Sequence, residues 1–193
     1  EANVYTVREA LNETSLYAPA TRRVTPSYSD YDVKDDAYWA ACELYVSAKC
    51  MSDPDADKYY SEIKEYNGAF KVPVRIEGGE NKAGSLTSFN WGNTAAAGTM
   101  TLNLHTEYLP EAEIYAVKDA VVEAADIYCK TESVQGYGIP YKYDGTGTDI
   151  GSGLEIIVNN GYQYASNSMV INNAVIMAYA YYQTNDLKYI NGV

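Results

Sequence analysis

Hydrophobic side chains recur at three- and four-residue spacing along much of this chain, which is the period of amphipathic helices. The clearest stripe follows a Pro-Glu-Ala-Glu start at residues 110–113 and consists of Ile114, Val117, Val121, Ala124 and Tyr128. A second stripe of alanine, leucine and tyrosine occupies residues 37–48, directly after two aspartates whose charge favours a helix N-terminus. The pattern predicts a helix in each of these segments.

Further helices follow from start signals and from hydrophobic content. A Ser-Asp-Pro cap at residues 52–54 opens a helix through position 66, and Asn93 can cap another over residues 94–108. Residues 166–183 are apolar almost all round, so we expect other helices to bury this segment on several sides. Residues 186–190 begin a last helix.

Signals for strands are few. Residues 69–74 and 154–158 are short apolar runs that fit extended pieces. The glycine-rich stretches at 75–82 and 136–160 are otherwise predicted to be loops. Successive helix–loop–helix units favour an all-α fold, arranged as a layered helical toroid or solenoid.

Composition narrows the class of partner. The 193 residues carry a net charge of −12 and are 47% hydrophobic, which excludes a disordered chain, and no apolar run reaches the roughly 20 residues of a membrane span. An acidic surface repels phosphate backbones and anionic lipids, so we expect neither nucleic acid nor a membrane as partner. The 21 tyrosines, against 2 Phe and 2 Trp, suit helix packing in most cases and neutral polar ligands such as sugars in others.

Motifs for metals and cofactors are incomplete. His105 is the only histidine, which argues against a His-based triad or a zinc site. The run Asp53-x-Asp55-x-Asp57 lacks the glycine and the glutamate that a calcium loop needs. The glycines between positions 136 and 151 miss the spacing of a dinucleotide-binding motif. We therefore expect neither a metal nor a cofactor.

Two other groups of residues could form a catalytic carboxylate pair or a disulfide, but their context does not favour either. Aspartates at positions 30, 32, 35 and 36 could supply a catalytic pair, but a solvated role at a helix start fits them better. Cys42 and Cys50 would lie about 12 Å apart along one helix, too far for a disulfide. We expect buried free thiols, and a bond from Cys129 to either of the others is left open.

Blocks of sequence in a fixed order indicate a family. Residues 35–45 (DDAYWAACELY) contain an acidic pair followed by Trp-Ala-Ala-x-Glu-Leu-Tyr, and residues 89–92 (FNWG) form an aromatic loop before a helix of small residues. Residues 164–168 (YASNS), 172–180 (NNAVIMAYA) and 185–193 (NDLKYINGV) follow. This ordered set closely resembles family 9 glycoside hydrolases, the cellulases and endoglucanases built on an (α/α)6 barrel.

The resemblance implies an incomplete (α/α)6 barrel, with residues 1–193 as a single partial catalytic module from the middle of the domain. It also implies a secreted, inverting endo-β-1,4-glucanase that hydrolyses cellulose or a related β-glucan. Neither the family's Asp-Ala-Gly-Asp-type base motif nor the segment of its glutamate acid occurs in the chain. The expected acid and base therefore lie outside it, in the remainder of the parent module, and the chain alone is expected to be inert.

The resemblance also points to residues that would bind substrate. Trp91 and Tyr164 match cleft aromatics of the family, and an aromatic ring can stack on the C–H face of a glucose unit. Tyr164-Ala165 stands where the family has Trp-Gly, and a core role for Trp91 is an equal alternative. Trp39, within an alanine-rich helix, is interpreted as structural.

Asn167, Asn172 and Asn173 either satisfy backbone groups or face the cleft, and the first role is favoured. For the chain as a whole, the alternative is a non-catalytic helical-repeat scaffold or a carbohydrate-binding module that shares the toroid fold.

Overall fold

The computed structural model describes residues 33–78, 81–148, 155–161 and 166–191. Within these ranges the body consists of helices α1 (Lys34–Met51), α2 (Ala56–Glu65), α3 (Ala95–Leu104), α4 (Glu111–Val134), α5 (Ser166–Thr184) and α6 (Leu187–Ile190). A 3-10 turn, Thr106–Tyr108, links α3 to α4. The helices predicted from periodicity and caps all form, with ends that shift by a few residues.

Helix α3 lies at the centre of this body. Helix α1 packs against α2 and α3, and α4 packs against α3 and α5. Ala95 and Leu102 of α3 belong to a core cluster with α1 and α2, whereas Ala96 and Met100 belong to a second cluster with α4 and α5. Two sides of α3 are therefore buried. The small residues on these sides allow the neighbouring helices to approach closely.

The apolar faces of α4 and α5 meet in the second cluster. The predicted stripe of α4 is buried at Val117, Val121, Ala124 and Tyr128. Helix α5 buries Ile176 and Met177 against it, but Ile171 and Tyr182 remain 62% and 74% exposed. The expectation that α5 is buried on several sides therefore fails on one side, because no described helix covers it.

Buried tyrosines join the helices through their hydroxyl groups. The Tyr38 hydroxyl lies 3.0 Å from the Thr99 hydroxyl and accepts a hydrogen bond from the Phe70 amide at 3.0 Å. The Tyr189 hydroxyl donates to Asp126 at 2.8 Å. Burial raises the pKa of Tyr38 well above that of a free tyrosine. The packing role predicted for most tyrosines holds for these.

A four-stranded antiparallel sheet is added to the helical body. Strands β1 (Ile76–Gly78), β2 (Asn81–Ser85), β3 (Tyr143–Thr148) and β4 (Glu155–Gly161) pair in the order β1-β2-β3-β4. Strands β1 and β3 and the start of β2 form inside the two stretches predicted as loops. The loop prediction was wrong there because each stretch was considered alone, whereas Ser85 of β2 pairs with Tyr143 of β3, far away in sequence.

The extended piece predicted at 154–158 forms as β4, but the one predicted at 69–74 does not form. Phe70 has a φ of 61°, which a strand does not allow. Its amide donates to the Tyr38 hydroxyl, and the carbonyl of Lys71 accepts from Thr99 at 2.8 Å. Side chains of α1 and α3 thus take up backbone groups that a strand would pair with a neighbour.

The close contact of α1 with α3 depends on Gly98. A Cβ atom at Gly98 would lie 2.9 Å from Cε1 of Tyr38, 3.0 Å from Cα of Trp39 and 3.1 Å from Sγ of Cys42. We expect Gly98→Ala to lower the free energy of unfolding by about 2 kcal/mol, since the overpacking exceeds the gain in helix propensity. Urea unfolding followed by circular dichroism measures this change.

Gly136→Ala is the matched control, because no atom lies within 4 Å of a Cβ at that position. Equal stability of the two alanine variants would contradict the close packing of α1 on α3.

The three cysteines are free thiols, as expected, but they differ in exposure. Cys42 is buried, Cys129 is partly buried and Cys50 is exposed. The expectation of burial was wrong for Cys50, because this residue lies on the exposed side of the last turn of α1. Burial raises the pKa of the Cys42 thiol to about 12.

Reaction with a disulfide reagent should therefore separate the thiols. At pH 8 we expect Cys50 to react first and Cys42 on the order of a hundredfold more slowly, because only an accessible thiolate attacks the reagent. Mass mapping at successive times identifies the labelled cysteine, and in denaturing urea the difference should vanish. Equal rates in the folded chain would contradict the burial of Cys42.

Candidate functional site

Trp91 lies in a short turn that leads into α3. The Asn90 amide donates to the Asn93 carbonyl at 2.9 Å, and the Asn93 amide donates back to the Asn90 carbonyl at 3.3 Å. The Asn90 side-chain oxygen accepts from the Gly92 amide at 2.9 Å. Trp91 is 45% exposed, so the core alternative does not apply to it. We call residues 90–93 the Trp91 turn, a self-bonded turn that presents an indole ring to solvent.

Helix α1 holds the end of this turn that continues into α3. Oδ2 of Asp35 accepts from the Thr94 amide at 2.6 Å and from the Thr94 hydroxyl at 3.3 Å. Oδ1 of Asp36 accepts from the same hydroxyl at 2.8 Å. Asp35 is only 3% exposed, so the solvated role predicted for it was wrong: Thr94 covers it. The aspartates at positions 30 and 32 lie outside the described residues.

Asn173 of helix α5 holds the segment that precedes the Trp91 turn. Its side-chain amide donates to the Leu86 carbonyl at 2.8 Å and to the Pro140 carbonyl at 2.7 Å, and its oxygen accepts from the Ser88 amide at 3.3 Å. Asn173 is fully buried, and the Ser88 hydroxyl lies 2.5 Å from that of Tyr128. One buried amide thereby satisfies backbone groups from two loops.

Asn172 supplies a separate contact. Its side-chain amide donates to the Phe89 carbonyl at 2.8 Å, directly before the Trp91 turn. The prediction that these asparagines satisfy backbone groups is thus confirmed for Asn172 and Asn173, whereas Asn167 is exposed. Tyr164, the second predicted stacking residue, lies outside the described residues.

Trp39 and Glu43 form a polar contact that the sequence interpretation missed. The Trp39 indole nitrogen donates to Oε1 of Glu43 at 3.0 Å, and the Thr101 hydroxyl donates to the same oxygen at 2.7 Å. Trp39 is 39% exposed, so it is not a core residue. The four-residue spacing of Trp39 and Glu43 on one helix was a signal that could have indicated this pair.

Comparison with known proteins places the chain in a family. The sequence model of Glycosyl hydrolase family 9 matches residues 3–193. The chain belongs to glycosyl hydrolase family 9. The family predicted from the ordered blocks is therefore confirmed over almost the full chain.

Two curated proteins are similar in sequence. A protein of Acetivibrio thermocellus described as cellulose 1,4-beta-cellobiosidase is 33% identical over 172 residues, which cover 86% of this chain and 17% of that protein. Endoglucanase C of Cellulomonas fimi is 28% identical over 191 residues, which cover 98% of this chain and 14% of that protein. The chain thus spans less than a fifth of the length of either relative. These matches do not favour the scaffold alternative.

A solved structure shows the same fold. The protein described as Bacteroides ovatus GH9 superposes with a TM-score of 0.53 at 22% identity, over 95% of this chain and 27% of that one. The helical body is therefore part of the (α/α)6 barrel of family 9, as predicted. None of the helices in the described residues is both long and apolar enough to span a membrane.

Proposed function

We propose that this chain is a central part of the catalytic module of a secreted, inverting endo-β-1,4-glucanase that acts on cellulose or a related β-glucan. Residues 1–193 would form a single partial module and supply one wall of the substrate cleft. The observation that carries the proposal is the family 9 match over residues 3–193, together with relatives described as a cellulose cellobiosidase and an endoglucanase.

The Trp91 turn supports a role in binding sugar. A β-1,4-glucan presents flat C–H faces to an aromatic ring and a periphery of hydroxyl groups to polar side chains. The exposed indole of Trp91 stands on a turn whose backbone groups are bonded internally and to helix side chains. We propose Trp91 and Tyr164 as the stacking residues. The net charge of −12 also favours a neutral polysaccharide over nucleic acid or an anionic membrane.

Catalysis in this proposal depends on groups outside the chain. Inverting hydrolysis needs two carboxyl groups roughly 6.5–9.5 Å apart, one to protonate the leaving oxygen and one to activate water. The buried Asp35 is unsuited to either role, because it already accepts two hydrogen bonds from Thr94. We therefore propose that the remainder of the parent module supplies both groups and that no metal or cofactor is needed.

Hydrolysis of carboxymethylcellulose tests the activity and its endo character. The parent protein should lower the viscosity of the solution steeply while few reducing ends appear, because an endoglucanase cuts within chains. The 193-residue chain alone should leave the viscosity unchanged. Release of cellobiose without loss of viscosity would favour the activity named for the Acetivibrio relative, and no release of sugar from any β-glucan would contradict the proposal.

A further inference from the structure

The Trp91 turn is attached to the helical body at both ends by side chains of different helices. Before the turn, the Phe89 carbonyl accepts from Asn172 of α5 at 2.8 Å. After the turn, the Thr94 amide donates to Asp35 of α1 at 2.6 Å. We call these two hydrogen bonds the anchors of the Trp91 turn. They fix its position relative to α1 and α5.

The turn is bonded within itself as well. Asn90 and Asn93 exchange both backbone hydrogen bonds, and the Asn90 side chain caps the Gly92 amide. Loss of an anchor should therefore leave the shape of the turn intact and allow it to move as a unit. An indole on such a unit would keep its exposure but lose its fixed orientation.

Asn172 is separate from the core that stabilises α5. Helix α5 packs on α4 through Ile176, Met177 and Ala180, which are fully buried, whereas Asn172 is only partly buried. Its neighbour Asn173 is the residue that satisfies buried backbone groups. The contact made by Asn172 is thus available for positioning at a small cost to the fold.

We infer that Asn172 and Asp35 are positioning residues that hold the Trp91 indole in the orientation in which it stacks on a β-glucan chain. This inference rests on the proposed function, because it assigns the purpose of the anchors to sugar binding. A platform that is already ordered before binding loses less entropy when the sugar docks, so fixed anchors raise affinity without touching the ligand.

The two tryptophans of the chain make the anchors accessible to fluorescence. In the 193-residue chain, Trp39→Phe leaves Trp91 as the single fluorescent tryptophan. Asn172→Ala and Asp35→Asn are introduced into that background. Asn167→Ala is the matched control, since Asn167 is an exposed asparagine of the same helix. Time-resolved anisotropy reports the mobility of Trp91, and acrylamide quenching reports whether its exposure is unchanged. Thermal unfolding shows that each variant is folded. Affinity electrophoresis in gels that contain soluble β-glucan reports binding.

We expect Asn172→Ala to speed the anisotropy decay of Trp91, to leave its acrylamide quenching unchanged, and to weaken glucan binding about threefold, the scale of ordering one large side chain. Asp35→Asn should have a smaller effect of the same sign, because a neutral amide oxygen still accepts a hydrogen bond, though a weaker one. Asn167→Ala should match the background. A purely structural role would lower the unfolding temperature without moving the anisotropy of Trp91 in the folded protein.

The inference is overturned if Asn172→Ala leaves the mobility of Trp91 equal to that of the Asn167→Ala control. It is also overturned if the mobility rises while glucan affinity stays at the control value. Trp91→Ala separates this failure from that of the proposed function. If Trp91→Ala binds glucan normally, the proposed role of Trp91 is wrong. If Trp91→Ala weakens glucan binding but Asn172→Ala does not, the positioning role alone is overturned.

Discussion

Asn173→Ala should lower the free energy of unfolding by roughly 3–5 kcal/mol, because three backbone groups lose their partner at once and each costs about 1–3 kcal/mol when buried. The groups are the carbonyls of Leu86 and Pro140 and the amide of Ser88. Native domains are stabilised by about 5–15 kcal/mol in total, so this one substitution should remove a large share. Urea unfolding followed by circular dichroism measures the loss.

The other asparagines of α5 provide a graded control. Asn172→Ala, which removes one partly buried hydrogen bond, should cost about 1 kcal/mol, and Asn167→Ala, on an exposed position, less than about 0.5 kcal/mol. If Asn173→Ala costs no more than Asn172→Ala, then Asn173 does not join the two loops to α5 as described.

Trp91→Ala should weaken the binding of soluble β-glucan at least about tenfold, which corresponds to about 1.4 kcal/mol. The physical reason is the loss of a large, exposed aromatic face on which a sugar ring can stack. Affinity electrophoresis suits this measurement because it detects weak binding to a polymer. Trp91→Phe should retain part of the affinity, since a smaller ring still offers a flat face.

Trp39→Phe is the control for this second prediction. Trp39 is also partly exposed, but its indole nitrogen is bonded to Glu43 and it lies on α1 rather than on the turn. Its replacement should change glucan affinity by less than about twofold. Equal effects of the two substitutions would contradict a specific role for the Trp91 turn.

The helical part of the fold could be predicted from sequence because its signals are local. The stripe from Ile114 to Tyr128 repeats the helical period, and it is the buried face of α4. The ordered blocks likewise predicted the family, since they preserve residue types at helix starts and in the aromatic loop. Local patterns of this kind need no knowledge of which segments meet in space.

Features that depend on distant pairing could not be predicted in this way. Asp35 appeared to be a solvated residue at a helix start, yet its partner Thr94 lies 59 positions away in sequence. The pairing of Ser85 with Tyr143 gave strands where glycine content favoured loops. The exposure of Trp39 depends on which face of α1 is left uncovered by α2 and α3, and helical periodicity does not reveal this.

The configuration of the first sugar released by the parent protein tests the central claim most directly. Proton NMR during the early hydrolysis of cellohexaose distinguishes the two anomers before they interconvert. An inverting family 9 enzyme that cuts a β-1,4 bond should release the α-anomer first. Release of the β-anomer first, or no cleavage of cellohexaose, would contradict the account.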